Sequence, residues 1–430
     1  MGAAGRGSQL GCRPGPRHVR LRARATFAYE PAFIRSRLEV APLQMPLTRG
    51  ADTVYAFPRL NPETFHGLPG LLADSLPDRF GNQLIDAWLA LQGRSPEGFS
   101  PVERLCYTAN RGMGALEFEP ALKSGAATGS EAVEIAALVE LAQQVLDQRE
   151  GLHVNLRHES TEALAALLAV GTSAGGARPK ALIAYNDATG EVRSGQVTAP
   201  ADFGYWLLKL DGVRDQVVAD PQDFGRVEYA YYHMAIASGL DMTECRLYEE
   251  NERAHFMTRR FDRTATGEKL HAQTLCALGH FDYNQPATYS YEQAFQVLRQ
   301  LRLPYPAAEQ LFRRMVFNIV ARNQDDHTKN ISFLMDAAGQ WQLAPAYDVA
   351  YSYKPGNRWL MQHQLSVNGK RDHFTRADLR HVAREMNVRR ADELVDEILA
   401  QVAHWPAFAA AAGVAEGRVA EIGAAHRQLR

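Results

Sequence analysis

Asp325 and Asn330 stand five residues apart in NQDDHTKN (323–330), a polar run between the apolar LFRRMVFNIVA (311–321) and ISFLM (331–335). Phosphoryl transfer needs a carboxylate to orient the attacking hydroxyl and accept its proton, and an amide oxygen on Mg2+. A kinase catalytic loop supplies both at the spacing D-x4-N. His327 and Lys329 lie between the two and would line the phosphate path. A competing reading makes Asp325, Asp326 and His327 the direct metal ligands of a hydrolase. Three consecutive side chains diverge, which argues against a compact tetrahedral site. Once Asp325 and Asn330 are the working pair, Asp326 is left as a helper or a surface residue.

Three more groups bear on the same chemistry. In GTSAGGARPK (171–180), Gly175 and Gly176 free the backbone to aim N–H groups at an anion, and Lys180 adds charge. The run lacks the Walker A pattern, and an ordinary turn would use the same residues. Lys209 in YWLLKLDG has apolar neighbours and is costly to bury unless paired. A strand lysine oriented by a helix glutamate holds the ATP phosphates in kinases, and Glu228, opening the next helical run, is its natural partner. The alternative is a lysine turned outward on an edge strand. Tyr347-Asp348 follows Asn330 across one hairpin, so the aspartate can return to the same place as a metal ligand; alone it would read as a helix N-cap. Each group separately has a plain explanation. Their order along the chain is the order a phosphotransfer site requires.

These groups need elements to hold them. With 430 residues the chain is expected to form two or three domains. A composition of 46% hydrophobic and 22% charged residues with net charge −2 is that of a globular protein, without the bulk charge of a nucleic-acid binder. The basic residues of 370–390 are interleaved with Asp372, Asp378 and Glu385 and read as a solvated helical surface. Cys12, Cys106, Cys245 and Cys276 form no CxxC pair and fit a reducing cytosol. No apolar run approaches the roughly 20 residues of a membrane span. The first 26 residues, with six arginines, read as a disordered basic tail or as an extension from a misplaced start.

Residues 27–60 are expected to be strand- and loop-like, and 65–93 helical, with Leu71, Leu72, Leu76, Phe80, Leu84 and Ile85 at helical spacing. A further helix is expected after Ser130, stopping at Gly151, with a domain boundary at 124–129. Strands are expected at ALIAYN, YWLLKL and in the pair RLYEENERAHFMTRRFDR, with a helix over 227–240 between them. Beyond Arg263 the chain reads as helical, interrupted only by the NQDDHTKN loop and the hairpin after it. The conspicuous polar motifs fall where the β-rich part meets the α-rich part.

In sequence order, SAGGARPK (173–180), LLKL around Lys209, RRFDR (259–263), DDHTKN (325–330) and LAPAYD (343–348) resemble the HipA family, serine/threonine kinase toxins of bacterial toxin–antitoxin pairs. LPGLLADSLPDRFGNQLI and MGALEFEP look like that family's N-terminal subdomain. The resemblance implies an α+β, two-lobed protein-kinase-like fold akin to phosphoinositide kinases. It divides the chain into an N-terminal subdomain (27–125), a β-rich nucleotide-binding lobe (126–263) and a helical catalytic lobe (264–430).

The resemblance also implies roles. Asp325 would be the catalytic base, Asn330 and Asp348 the Mg2+ ligands, and Lys209, oriented by Glu228, the ATP-phosphate lysine. Gly175, Gly176, Ala177, Arg178, Pro179 and Lys180 would cover the phosphates. Arg259, Arg260 and Phe261 would form the adenine hinge, with His327, Lys329 and Tyr347 along the nucleotide. Ser173, with Thr172 as second candidate, would be an autophosphorylation site that switches the kinase off. The implied partners are a cytosolic protein substrate of the aminoacyl-tRNA synthetase class and a helix-turn-helix antitoxin of the HipB type, with DNA reached only through it. The alternative is an inactive scaffold acting as co-repressor. Two departures stand out: Arg259 occupies a position where the family often has Glu, and the first strands of the N-terminal subdomain look shortened.

Overall fold

The computed structural model describes residues 25–122, 133–147, 179–213 and 223–429. Thr172, Ser173, Gly175, Gly176, Ala177 and Arg178 lie outside these residues, as do the 124–129 boundary, Ser130, Gly151 and the Arg-rich start as far as Arg24.

Apolar alternation in KALIAY, GYWLLK and RAHFMTR builds the first sheet. Its strands are β1 (Lys180–Tyr185), β2 (Val192–Ser194), β3 (Gly204–Lys209), β4 (Cys245–Glu250) and β5 (Arg253–Arg259). They are antiparallel in the order β2-β1-β3-β5-β4, so β3 is central and the edge-strand reading of Lys209 fails. Lys180 pairs directly opposite Lys209 across β1 and β3, which sends both side chains to the same face. The opposite face carries Ala181, Ile183, Trp206, Leu208 and Met257. It shares one core with Phe80, Leu84 and Trp88 of the Arg79–Leu91 helix and with Leu138 and Ala142 of the Ile135–Asp147 helix. Each large apolar side chain buried there contributes about 1.5–3 kcal/mol. The N-terminal unit is therefore fastened to the back of the sheet.

The helix Phe224–Ala237 follows, and Gly239 at φ +75° turns the chain away just past its end. The second lobe packs the helices Tyr291–Gln300, Tyr305–Val320, Arg376–Met386 and Ala391–Ala403 around Phe295, Phe312, Met315, Val316, Leu379 and Ile398. Against it lies a small antiparallel sheet of β6 (His271–Thr274), β7 (Ser332–Met335) and β8 (Trp341–Leu343), in that order.

Three expectations are corrected. Residues 27–60 form no strand beyond the single bridge Phe27 to Tyr55; Pro31 opens a short helix, Pro31–Ser36, and Pro42, Pro46 and Pro58 supply no ladder donors. The stretch 65–93 is not one helix: it holds Gly70–Ala73 and Arg79–Leu91, parted around Pro77. Beyond Arg263 the chain is less helical than expected: β6 precedes the helices, and residues 344–375 contain no helix.

Candidate active site

β3 ends on Lys209, and the Phe224–Ala237 helix brings Glu228 to it. The Lys209 ammonium lies 2.5 Å from Glu228 Oε1 and also contacts Asp348 Oδ1. Burial alone would lower its pKa, but Asp348 and then Glu228 outweigh that and hold it above the ordinary lysine value. Asp348 responds in mirror image. Burial would raise it, yet Lys209, with Lys180 beside it, pulls its carboxyl down to about 2.

The β7–β8 hairpin delivers Asp348, whose φ of +52° is left-handed, a conformation Asp and Asn tolerate better than most residues. The Tyr347 hydroxyl beside it donates to the Lys329 carbonyl and accepts from Ser332 Oγ, both at 2.5 Å. That hydroxyl ties the end of the hairpin to the NQDDHTKN loop.

The loop begins where the Tyr305–Val320 helix stops and Arg322 takes φ +59°. It carries no regular secondary structure before a 3-10 turn at Thr328–Asn330, and burial alternates along it, with Asp325 and His327 partly exposed and Asp326 and Thr328 buried. Asp325 faces out, its side chain 46% exposed, with His327 Nε2 3.8 Å from Oδ1. Asn330 Nδ2 donates to the Asp325 carbonyl at 2.7 Å, bracing the two ends of the D-x4-N spacing.

Asp326 faces in, and its reading as a surface residue is wrong. It is buried, accepting from Tyr291 Oη at 3.0 Å, His363 Nδ1 at 2.8 Å and the Gln364 N–H at 2.8 Å. Asn318 links Tyr291 to Asn323, completing a buried polar chain beneath the loop. Burial would raise the Asp326 pKa, but His363 and these hydrogen bonds bring it below the ordinary carboxylate value. A metal site made of Asp325, Asp326 and His327 is therefore not formed. Among the described residues no three His, Cys, Asp or Glu side chains are grouped to hold an ion.

Asn330 Oδ1 and Asp348 Oδ2 take no hydrogen bond among the described residues. Both are hard oxygen donors, the kind Mg2+ prefers, so this pair fits that ion.

The remaining residues are placed unevenly. Lys180 is buried and its ammonium lies 3.9 Å from Asp78 Oδ2. Pro179 precedes it at the root of the Gly-rich turn, and its carbonyl accepts from the Leu210 N–H at 3.1 Å. The Lys329 ammonium lies 4.7 Å from the Tyr283 ring centroid, in the field of Asp74. Arg259 is exposed, pairing with Glu244 at 3.2 Å. Arg260 is fully buried against Asp262 at 2.8 Å. Their backbone N–H groups are used by the Glu244 and Tyr205 carbonyls. Of these three, Phe261 alone approaches the centre, its ring 5.4 Å from that of Tyr347. Asp74 and Asp78 were missed by sequence reasoning. Asp78 carries a legible signal only for its local work, capping the Arg79–Leu91 helix by accepting from the Gly81 N–H at 2.6 Å.

Comparison with known proteins matches residues 172–406, more than half the chain, to the HipA-like C-terminal domain, and residues 18–119 to the HipA N-terminal domain. The chain belongs to the HipA family. The HipA of Shewanella oneidensis MR-1, solved as a toxin–antitoxin complex with HipB and operator DNA, superposes with a TM-score of 0.63 at 16% identity, covering 93% of this chain and 90% of that one. The shared fold is the two-lobed, kinase-like one. A Sinorhizobium fredii protein named "Putative kinase Y4mE" is 30% identical over 125 residues, 27% of this chain and 30% of its own length. The chain thus matches less than a third of that relative. No helix among the described residues of this HipA-family chain is long and apolar enough to cross a membrane.

Proposed function

We propose that this HipA-family chain is an ATP- and Mg2+-dependent serine/threonine protein kinase. The observation that carries the reading is the Lys209 ammonium held between Glu228 and Asp348, while Asp325 stands open to solvent on the NQDDHTKN loop. Lys209 holds the α- and β-phosphates of ATP, and Glu228 fixes its direction. Asn330 and Asp348 hold Mg2+, which when bound neutralises charge on the phosphates. Asp325 orients a substrate hydroxyl and takes its proton as the new oxygen–phosphorus bond forms and ADP leaves. Phe261 and Tyr347 offer an aromatic wall for the adenine.

The substrate is a serine or threonine of a cytosolic protein, of the aminoacyl-tRNA synthetase class that the family suggests. The Shewanella complex supports a HipB-type helix-turn-helix partner, with DNA reached only through it. Ser173, or Thr172 beside it, would be the autophosphorylation site. A phosphate of about −1.5 to −2 charge in the Gly-rich turn repels the ATP phosphates and switches the enzyme off.

Calorimetric titration of the full chain with a non-hydrolysable ATP analogue and Mg2+ tests the reading. Saturable binding by the wild type, lost in Lys209→Ala, is expected. A wild type that binds no nucleotide overturns it and leaves the co-repressor scaffold.

A further inference from the structure

Two carboxylates four residues apart in LLADSLPD join the N-terminal unit to both lobes. Asp74 accepts from the Thr274 N–H at 2.7 Å and from Thr274 Oγ1 at 2.9 Å, at the end of β6 in the second lobe. Asp78 reaches Lys180 at the start of β1 in the first lobe. The segment is seated closely: the Gly70 N–H donates to His280 Nε2 at 3.0 Å, and a Cβ at Gly70 would meet the Ala277 carbonyl oxygen at 2.4 Å. The connection therefore has little freedom to shift.

Lys180 and Lys209 are cross-strand neighbours on one face, a placement that repels unless countercharges divide them. Glu228 and Asp348 take Lys209, and Asp78 takes Lys180. Asp78 Oδ2 is buried and accepts no hydrogen bond, so it is compensated by the Lys180 ammonium 3.9 Å away, with Lys329 also acting on it. Without Asp78, Lys180 would compete for Asp348, whose carboxyl it already influences.

We propose that Asp78 is a positioning residue for the phosphate site: by holding Lys180 away from Asp348, the N-terminal unit keeps Lys209 and Asp348 in the arrangement that receives ATP and Mg2+. This rests on the phosphotransfer reading. It makes the N-terminal unit a part of the catalytic machinery. Burial pushes the Asp78 carboxyl up to about 6 against the opposing pull of Lys180, the Gly81 N–H, Lys329 and the Phe80 N–H. Mild acid therefore discharges Asp78 and weakens its hold on Lys180.

The test is binding of a fluorescent ATP analogue with Mg2+ to the full chain over roughly pH 5 to 8, with thermal melting measured beside it. Wild type is compared with Asp78→Asn, Lys180→Met and the pair Asp78→Asn with Lys180→Met. Asp78→Asn is expected to weaken binding by about 10- to 100-fold, the scale of losing a partner that orients a ligand-holding group. Wild-type affinity is expected to fall below about pH 6, and the Asp78→Asn profile to lack that limb. With Lys180 already replaced, removing Asp78 is expected to change nothing further. Should Asp78→Asn fail to fold, the paired variant decides alone, because it removes the Lys180 charge that Asp78→Asn leaves uncompensated, while Asn keeps the cap on the Gly81 N–H. Wild-type affinity in Asp78→Asn, or a paired variant much weaker than Lys180→Met, overturns the proposal. A wild type that binds no nucleotide defeats the kinase reading itself, and this inference with it.

Discussion

The Lys209 ammonium lies 2.5 Å from Glu228 Oε1 and touches Asp348 Oδ1, joining a strand, a helix and the exit of a hairpin at one charge. Replacing Lys209 by Met leaves two largely buried carboxylates facing each other. A loss of about 3–5 kcal/mol is expected, read by chemical denaturation, together with loss of ATP binding.

Asp348 gives this cluster an acid signature. Its folded pKa of about 2 lies under the ordinary 3.8. A depressed carboxyl adds stability that is complete above the ordinary value and is lost as pH falls towards the folded one. The wild type is expected to lose melting temperature between about pH 4 and pH 2, and Asp348→Asn to lose less across that window. An identical acid slope in both proteins would place the ion pair elsewhere.

Adjacent aspartates should behave oppositely. Asp325→Asn is expected to keep its melting temperature and ATP binding while losing about 100- to 10,000-fold in phosphoryl transfer. Asp326→Asn is expected to destabilise by about 3 kcal/mol or more, because His363, Tyr291 and the Gln364 N–H lose a buried anion. Denaturation curves and turnover of both variants check the split.

Neighbouring arginines divide in the same way. Arg259→Ala, with a half-exposed pair to Glu244, is expected to change stability by under about 1 kcal/mol. Arg260→Ala leaves Asp262 buried with Arg263 as its remaining cation and is expected to cost about 3 kcal/mol or more. Paired urea titrations distinguish the two.

What was legible in the sequence was local. The D-x4-N spacing, the β-strand pattern of YWLLKL and the hairpin before Asp348 all lie within short stretches, and the structure gathers Lys209, Glu228 and Asp348 as their order suggested. Other features depend on distant partners. Asp78 meets a lysine about a hundred positions away, and nothing beside it in sequence announces that contact. Asp326 looks as polar as Asp325, yet the loop turns it inward, towards His363. Strand β6, HAQT, escaped detection because its inward residues are polar: His271 and Gln273 both bond the Val40 carbonyl, at 3.1 Å and 3.0 Å.

The most direct measurement is transfer of label from γ-labelled ATP, with Mg2+, to the chain itself or to an added protein acceptor. Wild type, Asp325→Asn and Lys209→Ala are compared at equal folded concentration. Label on serine or threonine with the wild type alone is the expected result. Equal label with Asp325→Asn, or none with a wild type that binds ATP, would contradict the kinase reading.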